Sequence, residues 1–219
     1  TCPKSNGPLK EAAEQTKQDF IDKNGFDDFV QAVAGGQYQY EKGFNFGGKE
    51  AAWSNVVLKK IIYTHLQQAK KVAVLDYHTG LGDYGECMLI SSDISTSIQG
   101  EALSDWYGEV HFSNSGDVGY ETTGGLADSI AGVLPAVQVT SIVLEYGTYP
   151  IERIANAMFT SFWLTQFGDY STELARNIQQ EITQSFYPNE ESWHQNVASR
   201  SEQIINQTLA GFNKCSFQC

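Results

Sequence analysis

Hydrophobic residues recur at two spacings along the chain, one typical of helices and the other of buried strands. The first helix is expected over residues 8–24, because Pro8 suits a first helical turn and Gly25 interrupts the pattern. The same helical spacing predicts further helices later in the chain. These are residues 27–34, 55–69, 95–106, 126–133, 150–167, 171–186 and 190–212.

Apolar runs of strand length lie between these helices. They are residues 71–77, 88–90, 109–112 and 137–145. Because helices and strands alternate, the expected fold class is α/β, with a mixed, mostly parallel sheet flanked by helices. No repeat or linker divides the 219 residues, so a single domain, 1–219, is expected.

The third helix carries a specific expectation about capping and burial. Ser54 is expected to cap it, because a serine hydroxyl accepts a hydrogen bond from first-turn backbone N–H groups. Helical spacing assigns a group of apolar side chains to its buried face. These are Val57, Leu58, Ile61, Ile62 and Leu66.

Two loops are expected, at 36–48 and at the polar, glycine-rich residues 113–125. The first is not a phosphate loop, since no Gly-Lys-Ser/Thr follows it. It is rich in aromatic residues, which either line a substrate cleft or pack the loop onto the sheet. These residues are Tyr38, Tyr40, Phe44 and Phe46.

Composition narrows the class of protein. Hydrophobic residues make up 41% of the chain and aromatic residues 12%, which argues against disorder. No apolar run approaches the ~20 residues of a membrane span. The net charge of −12 argues against nucleic acid as a partner, because phosphates would repel the chain.

Cysteine usage bears on the cellular location. The four cysteines are Cys2, Cys87, Cys215 and Cys219. Those near the termini favour disulfides over a zinc ribbon, because no second closely spaced pair completes four ligands, and Cys87 is expected to be buried or bridged. Asn206 begins a glycosylation sequon, and the chain starts at Thr1. These features predict a processed or trimmed product in a secreted or lumenal location.

Two predicted strands end in residues that can do chemistry. One leads into Asp76-Tyr-His78-Thr79-Gly, and the other into Glu145-Tyr-Gly-Thr. In an open α/β sheet both endings can converge on one crevice. Histidine is a common zinc ligand and an unligated glutamate can activate the attacking water, so the pair suits metal-assisted hydrolysis. Spacing alone favours a hydrogen-bonded loop histidine over a catalytic one.

An ordered series of segments resembles the C-terminal part of a zinc-carboxypeptidase-like family of the metallocarboxypeptidase superfamily. The series covers about residues 10–200. Its members are Ala32-Val-Ala-Gly-Gly-Gln-Tyr38, Gly43-Phe-Asn-Phe-Gly-Gly48, Ala52-Trp-Ser-Asn55, Asp76-Tyr-His-Thr-Gly-Leu-Gly82, Leu144-Glu-Tyr-Gly-Thr148 and Phe186-Tyr-Pro188 with Trp193. Each segment alone is weak, but the series in this order is specific.

The resemblance implies a carboxypeptidase-like α/β/α fold that lacks its N-terminal strands here. It assigns His78 as the last zinc ligand and Glu145 as the general base and acid, with Asp76 and Thr79 as supporting residues. In that family the first two ligands come from an upstream histidine-x-x-glutamate motif. A peptide-like substrate is implied.

The chain departs from the family pattern in its histidines, which are His65, His78, His111 and His194. None is followed at the third position by Glu or Asp, so only one of the expected zinc ligands is present, and catalytic zinc usually needs about three. Three explanations remain: one fragment of a cleaved precursor, a shortened relative that lost its metal, or an experimental fragment.

The leading hypothesis is the C-terminal part of a zinc-dependent hydrolase acting on peptide or amide bonds. Zinc is then expected only if another segment supplies the missing ligands, for example an N-terminal partner chain of the same precursor. The rival hypothesis is a non-catalytic structural or binding protein that reuses the fold and self-associates or pairs with a partner chain. An incomplete sheet would favour either form of association, because it exposes an apolar edge.

Overall fold

The computed structural model of the protein describes residues 8–113 and 124–214. Eight helices and four strands occupy these residues. The helices are α1 (Pro8–Asn24), α2 (Phe26–Ala34), α3 (Trp53–Leu66), α4 (Ile98–Tyr107), α5 (Leu126–Val133), α6 (Ile151–Phe167), α7 (Glu173–Phe186) and α8 (Glu191–Lys214). The strands are β1 (Lys71–Gly80), β2 (Cys87–Ser91), β3 (His111–Phe112) and β4 (Gln138–Gly147).

The strands form one mixed sheet in the order β1-β4-β2-β3. β1 pairs with β4 in parallel along ten residues, β4 pairs with β2 antiparallel, and β2 pairs with β3 in parallel. The predicted α/β class with a mixed, mostly parallel sheet is therefore confirmed. β1 lies at one edge of the sheet and β3 at the other.

Helices cover both faces of the sheet. On one face, Ile62 of α3 and Ile130 of α5 pack with the β1 side chains Val72 and Val74. On the other face, Leu103 of α4 and Ile204 of α8 pack against Leu144 and its neighbours on β4 and β2. Successive strand residues point to opposite faces, so β1 and β4 contribute side chains to both cores. Each fully buried leucine or isoleucine contributes roughly 1.5–3 kcal/mol.

The expected details of α3 are partly wrong. The helix begins at Trp53 after Ala52, with no side-chain cap, so Ser54 lies inside the first turn instead of capping it. Of the predicted buried face, Ile62 is buried, but Leu58 is 37% and Ile61 51% exposed. The reason is that only one side of α3 packs, against α5 and against side chains of β1 and β4. Its apolar stripe is therefore wider than the surface that it buries.

The aromatic loop before α3 packs on a helix and not on the sheet. The Phe44 ring lies 4.6 Å from that of Phe159 and 5.3 Å from that of Phe162, both on α6. Tyr38 and Tyr40 are instead 77% and 69% exposed. Phe44 therefore packs the loop onto the rest of the protein, but onto α6 and not onto the sheet as expected.

Several expectations fall on other parts of the chain. No helix within the described residues is long and apolar enough to cross a membrane. Cys87 is a free, half-buried thiol. The remaining cysteines, Cys2, Cys215 and Cys219, and most of the predicted loop at 113–125 lie outside the described residues.

Candidate functional site

The parallel pairing of β1 with β4 brings the two strand endings together. His78 lies directly opposite Glu145, and Asp76 lies opposite Val143. Asp76 and His78 are two residues apart on β1, so their side chains share a face. The same face carries Val72 and Val74, nearer the start of β1, where α3 and α5 cover it.

The imidazole of His78 sits between two carboxylates. Its Nε2 is 3.1 Å from Oδ2 of Asp76, and its Nδ1 is 3.9 Å from Oε2 of Glu145. The His78 side chain is 50% exposed, whereas that of Asp76 is 16% exposed. The 3.1 Å approach of Asp76 to Nε2 places the other ring nitrogen, Nδ1, on the side of Glu145.

Glu145 is the most buried acid of this group, with a side chain only 7% exposed. Its Oε1 accepts a hydrogen bond of 3.0 Å from the backbone N–H of Leu81. Burial raises the pKa of the Glu145 carboxyl, an effect partly offset by the Leu81 N–H and the neighbouring His78 and reinforced by the charge of Asp76. A raised pKa makes this carboxyl a better proton acceptor near neutral pH.

The raised pKa of Glu145 predicts how stability depends on pH. Between the ordinary glutamate pKa and the raised folded-state pKa, the folded protein binds more protons than the unfolded chain. The stabilising contribution of Glu145 should therefore be complete below the ordinary pKa and be lost as pH rises through the folded pKa. Urea unfolding at a series of pH values should show this decline in wild type and a flatter profile in Glu145→Gln. Parallel profiles for the two proteins would contradict it.

The chain after β1 forms a short loop that closes over the site. Gly80 has φ +143°, and a Cβ there would lie 3.3 Å from the Phe186 ring and 3.7 Å from Oε1 of Glu145. Phe186, the last residue of α7, and the Glu145 carboxylate therefore both lie close to Gly80. Thr79 is half-buried and alternates to the opposite face of β1 from His78.

Gly147 anchors this loop to the end of β4. Its N–H donates to the carbonyl of Glu86, and its own carbonyl accepts from Gly85 N–H and from Nε1–H of Trp193, each at 2.9 Å. Thr148 is buried, and its hydroxyl donates to the Gly80 carbonyl at 3.4 Å. These bonds fix the backbone that directly follows Glu145 against the loop after β1.

Sequence reasoning did not find the Leu81 N–H or Phe186 as parts of the site. A backbone N–H carries no side-chain signal, and Phe186 lies 41 positions after Glu145, at the end of helix α7. In the sequence, Phe186 belongs only to the closing segment of the family series. The one signal available was the glycine-rich turn at Gly80 and Gly82, which indicates a backbone that approaches other groups closely.

The donor set fits part of a metal site. Nδ1 of His78 is a nitrogen donor of the kind that zinc takes, and Oε2 of Glu145 lies 3.9 Å from it. One imidazole is fewer than the usual three protein ligands. Within residues 8–113 and 124–214, no three His, Cys, Asp or Glu side chains are placed to hold a metal.

The other histidines lie away from this site. His65 is exposed at the last turn of α3, next to the start of β1 and not to its end. His111 is on β3, at the opposite edge of the sheet. His194 is on α8 and its ring stacks on Tyr187 at 4.9 Å. The fold thus brings together Asp76, His78 and Glu145 without a second histidine.

Comparison with known proteins identifies the family of the chain. A search of the curated proteins and a search of the solved structures each found no match. A family model described as "Protein of unknown function (DUF2817)" matches residues 2–200, which is most of the chain. The chain therefore belongs to this family, Protein of unknown function (DUF2817).

Proposed function

We propose that the chain is the C-terminal part of a zinc-dependent, carboxypeptidase-like hydrolase that acts on peptide or amide bonds. The observation that supports this most is the His78 imidazole between Asp76 and the buried Glu145, at the carboxyl ends of two parallel strands. Open α/β sheets place their chemistry at this edge. The remaining zinc ligands come from a segment outside the described residues.

Each residue of the group has a separate role in this proposal. Asp76 accepts the Nε2–H of His78, which holds the ring and leaves Nδ1 free to bind the metal. When bound, zinc polarises the substrate carbonyl and lowers the pKa of a bound water. Glu145 takes a proton from the water and delivers it to the leaving amine, which is general base and then general acid catalysis.

The surroundings of Glu145 suit that role. The Leu81 N–H holds Oε1, so Oε2, which faces His78, is the oxygen available for proton transfer. The Phe186 ring beside Gly80 limits access of bulk water to this carboxylate. Burial raises the pKa of Glu145, which makes its carboxylate a stronger base towards the water whose proton it takes.

Zinc binding tests this proposal directly. The protein is purified from its natural source together with any polypeptide that stays bound, and its zinc content is measured after dialysis. We expect one zinc per chain, and His78→Ala should weaken zinc binding by at least about 100-fold, since it removes one of about three protein ligands. His65→Ala is the matched control, because this imidazole is exposed on α3. Zinc-free native protein, or unchanged zinc binding in His78→Ala, would exclude the metal-dependent mechanism.

A non-catalytic structural or binding role is the second candidate. It is favoured by the exposed edge of β1 and by exposed apolar side chains on α3, such as Trp53 at 79% and Val56 at 55%. Surfaces of this kind in soluble proteins often mark contacts with other chains. In this case His78→Ala should change neither the assembly state nor any binding property of the protein.

A further inference from the structure

We propose that the groove between α3 and α5 binds the side chain of a glutamate residue in the substrate of the proposed hydrolase. That the ligand is a substrate rests on the proposed function. The groove adds the class of substrate, which is a peptide with a glutamate close to the bond that is cleaved. It is separate from the side chains of His78 and Glu145, neither of which lines it.

The groove has a volume of about 290 Å³ and an apolar interior. Ile62 of α3 and Ile130 of α5, each 7% exposed, form its floor. Leu58 and Leu126 are partly exposed and form its apolar walls. The volume is at the lower end of the ~300–1,000 Å³ of small-molecule pockets, so the groove fits a single side chain better than a large ligand.

Three polar side chains of the groove can donate hydrogen bonds. They are those of Asn55, Lys59 and Ser129. Asn55 and Lys59 are one turn apart on α3, so their side chains lie on the same side of the helix. Within the described residues, none of the three side chains has a hydrogen-bond or ion-pair partner. An ammonium, an amide N–H and a hydroxyl together suit a carboxylate, which accepts from all of them.

The local charge of the groove also favours an anion. The chain has 26 acidic and 14 basic residues, yet the described residues that line the groove include Lys59 and no acid. Among the helices of the described residues, α3 alone contains no Asp or Glu. A carboxylate is therefore attracted here and repelled by most of the remaining surface. The apolar floor favours glutamate over aspartate, because the glutamate side chain has one more CH₂ group to bury.

The groove is level with the candidate site along the direction of β1. Only residues 67–70 connect the end of α3 with the start of β1, so the helix runs over the strand in the opposite direction. Ile62 packs with Val74. From that contact, Leu58 lies about 6 Å further along α3 and Asp76 about 7 Å further along β1. The α3 side of the groove therefore extends towards the carboxyl end of the strand.

The helix α5 is arranged on β4 in the same way. Residues 134–137 join its end to the start of β4, so its first turn lies towards the carboxyl edge of the sheet. The groove between the two helices therefore opens at the edge where His78 is 50% exposed. A peptide bound with its scissile amide at His78 and Glu145 places a nearby side chain in the groove, since an extended chain advances about 3.3–3.6 Å per residue.

Peptide binding tests the groove without requiring zinc or turnover. The probes are two N-acetylated, C-amidated tripeptides, Ala-Glu-Ala and Ala-Gln-Ala, which differ in one carboxylate. They are titrated into the isotope-labelled full chain, with any polypeptide that stays bound to it, and followed by NMR. The glutamate peptide should bind at least about fivefold more tightly and shift the signals of the groove residues, as expected for a partly exposed ion pair assisted by neutral donors. Equal affinities, no binding of either peptide, or shifts confined to other residues would overturn the proposal.

A charge substitution in the groove separates this proposal from that of the hydrolase. Lys59→Gln should lower the affinity for the glutamate peptide to that for the glutamine peptide. Lys60→Gln is the matched control, because this neighbouring exposed lysine does not line the groove. An unchanged preference for glutamate in Lys59→Gln would overturn the glutamate site. Glutamate-selective binding by a native protein without zinc would retain the site and exclude the hydrolase. Zinc-dependent hydrolysis without a preference for glutamate would do the reverse.

Discussion

Replacing Gly147 with alanine is expected to destabilise the protein by about 4 kcal/mol or more, a loss in the range reserved for severe steric conflict. A Cβ at this position would overlap the Asp83 carbonyl oxygen and lie 2.6 Å from the carbonyl carbon of Gly82. Neither partner is the movable end of a side chain. Three hydrogen bonds of 2.9 Å, to Glu86, Gly85 and Trp193, hold the Gly147 backbone where it is.

Gly132→Ala is the matched control for this substitution. Gly132 lies within α5, and a Cβ there would meet no atom within 4 Å. Alanine is the better helix former, so this variant should gain up to about 1 kcal/mol. Urea unfolding of the two variants and wild type measures both effects. A Gly147→Ala protein within about 1 kcal/mol of wild type would show that the loop after β1 yields more easily than its hydrogen bonds indicate.

Local patterns were sufficient to predict most elements of the fold. Pro8 and Gly25 bracket α1 as expected, and the apolar runs at 71–77 and 137–145 form the two long strands. These elements depend on side chains close in sequence, such as the alternation along β1 that places Asp76 and His78 on one face. The α/β class follows from their order alone.

The strand order could not be predicted in this way. β4 lies between β1 and β2, although β2 follows β1 directly in the chain, and the β2–β4 pair is antiparallel. Apolar runs of similar composition can pair with each other in several orders, because local periodicity does not encode the neighbour. The exposure of Leu58 and Ile61 has the same origin, since it depends on where α3 meets α5.

The candidate site was predictable in its side chains but not in its environment. Asp76, His78 and Glu145 stand out as polar residues at the ends of apolar strands. Their separation and the burial of Glu145 depend on the register of β1 with β4, which aligns residues 67 positions apart. The structure therefore adds the feature on which the proposed proton transfer rests, a carboxylate with a raised pKa that faces an imidazole.

Replacing Glu145 with glutamine is expected to lower kcat/KM for a peptide or amide substrate by about 10²–10⁴-fold, the usual contribution of a positioned general base. Glutamine has nearly the same shape and can still accept the Leu81 N–H bond through its carbonyl oxygen. It cannot take a proton from water. The fold should therefore be retained while the chemical step is lost, with kcat falling more than KM rises.

Glu181→Gln is the matched control, because Glu181 pairs with Arg153 at 2.7 Å on the α6–α7 surface and touches none of the three site residues in the described contacts. It should keep activity within about a factor of two, as expected for a partly exposed ion pair. Zinc content must be measured in both variants. Loss of activity in Glu145→Gln with zinc retained assigns proton transfer to Glu145. Full activity with zinc retained would contradict that role. Loss of both activity and zinc would instead make Glu145 a metal ligand, which its 3.9 Å distance from Nδ1 of His78 also permits.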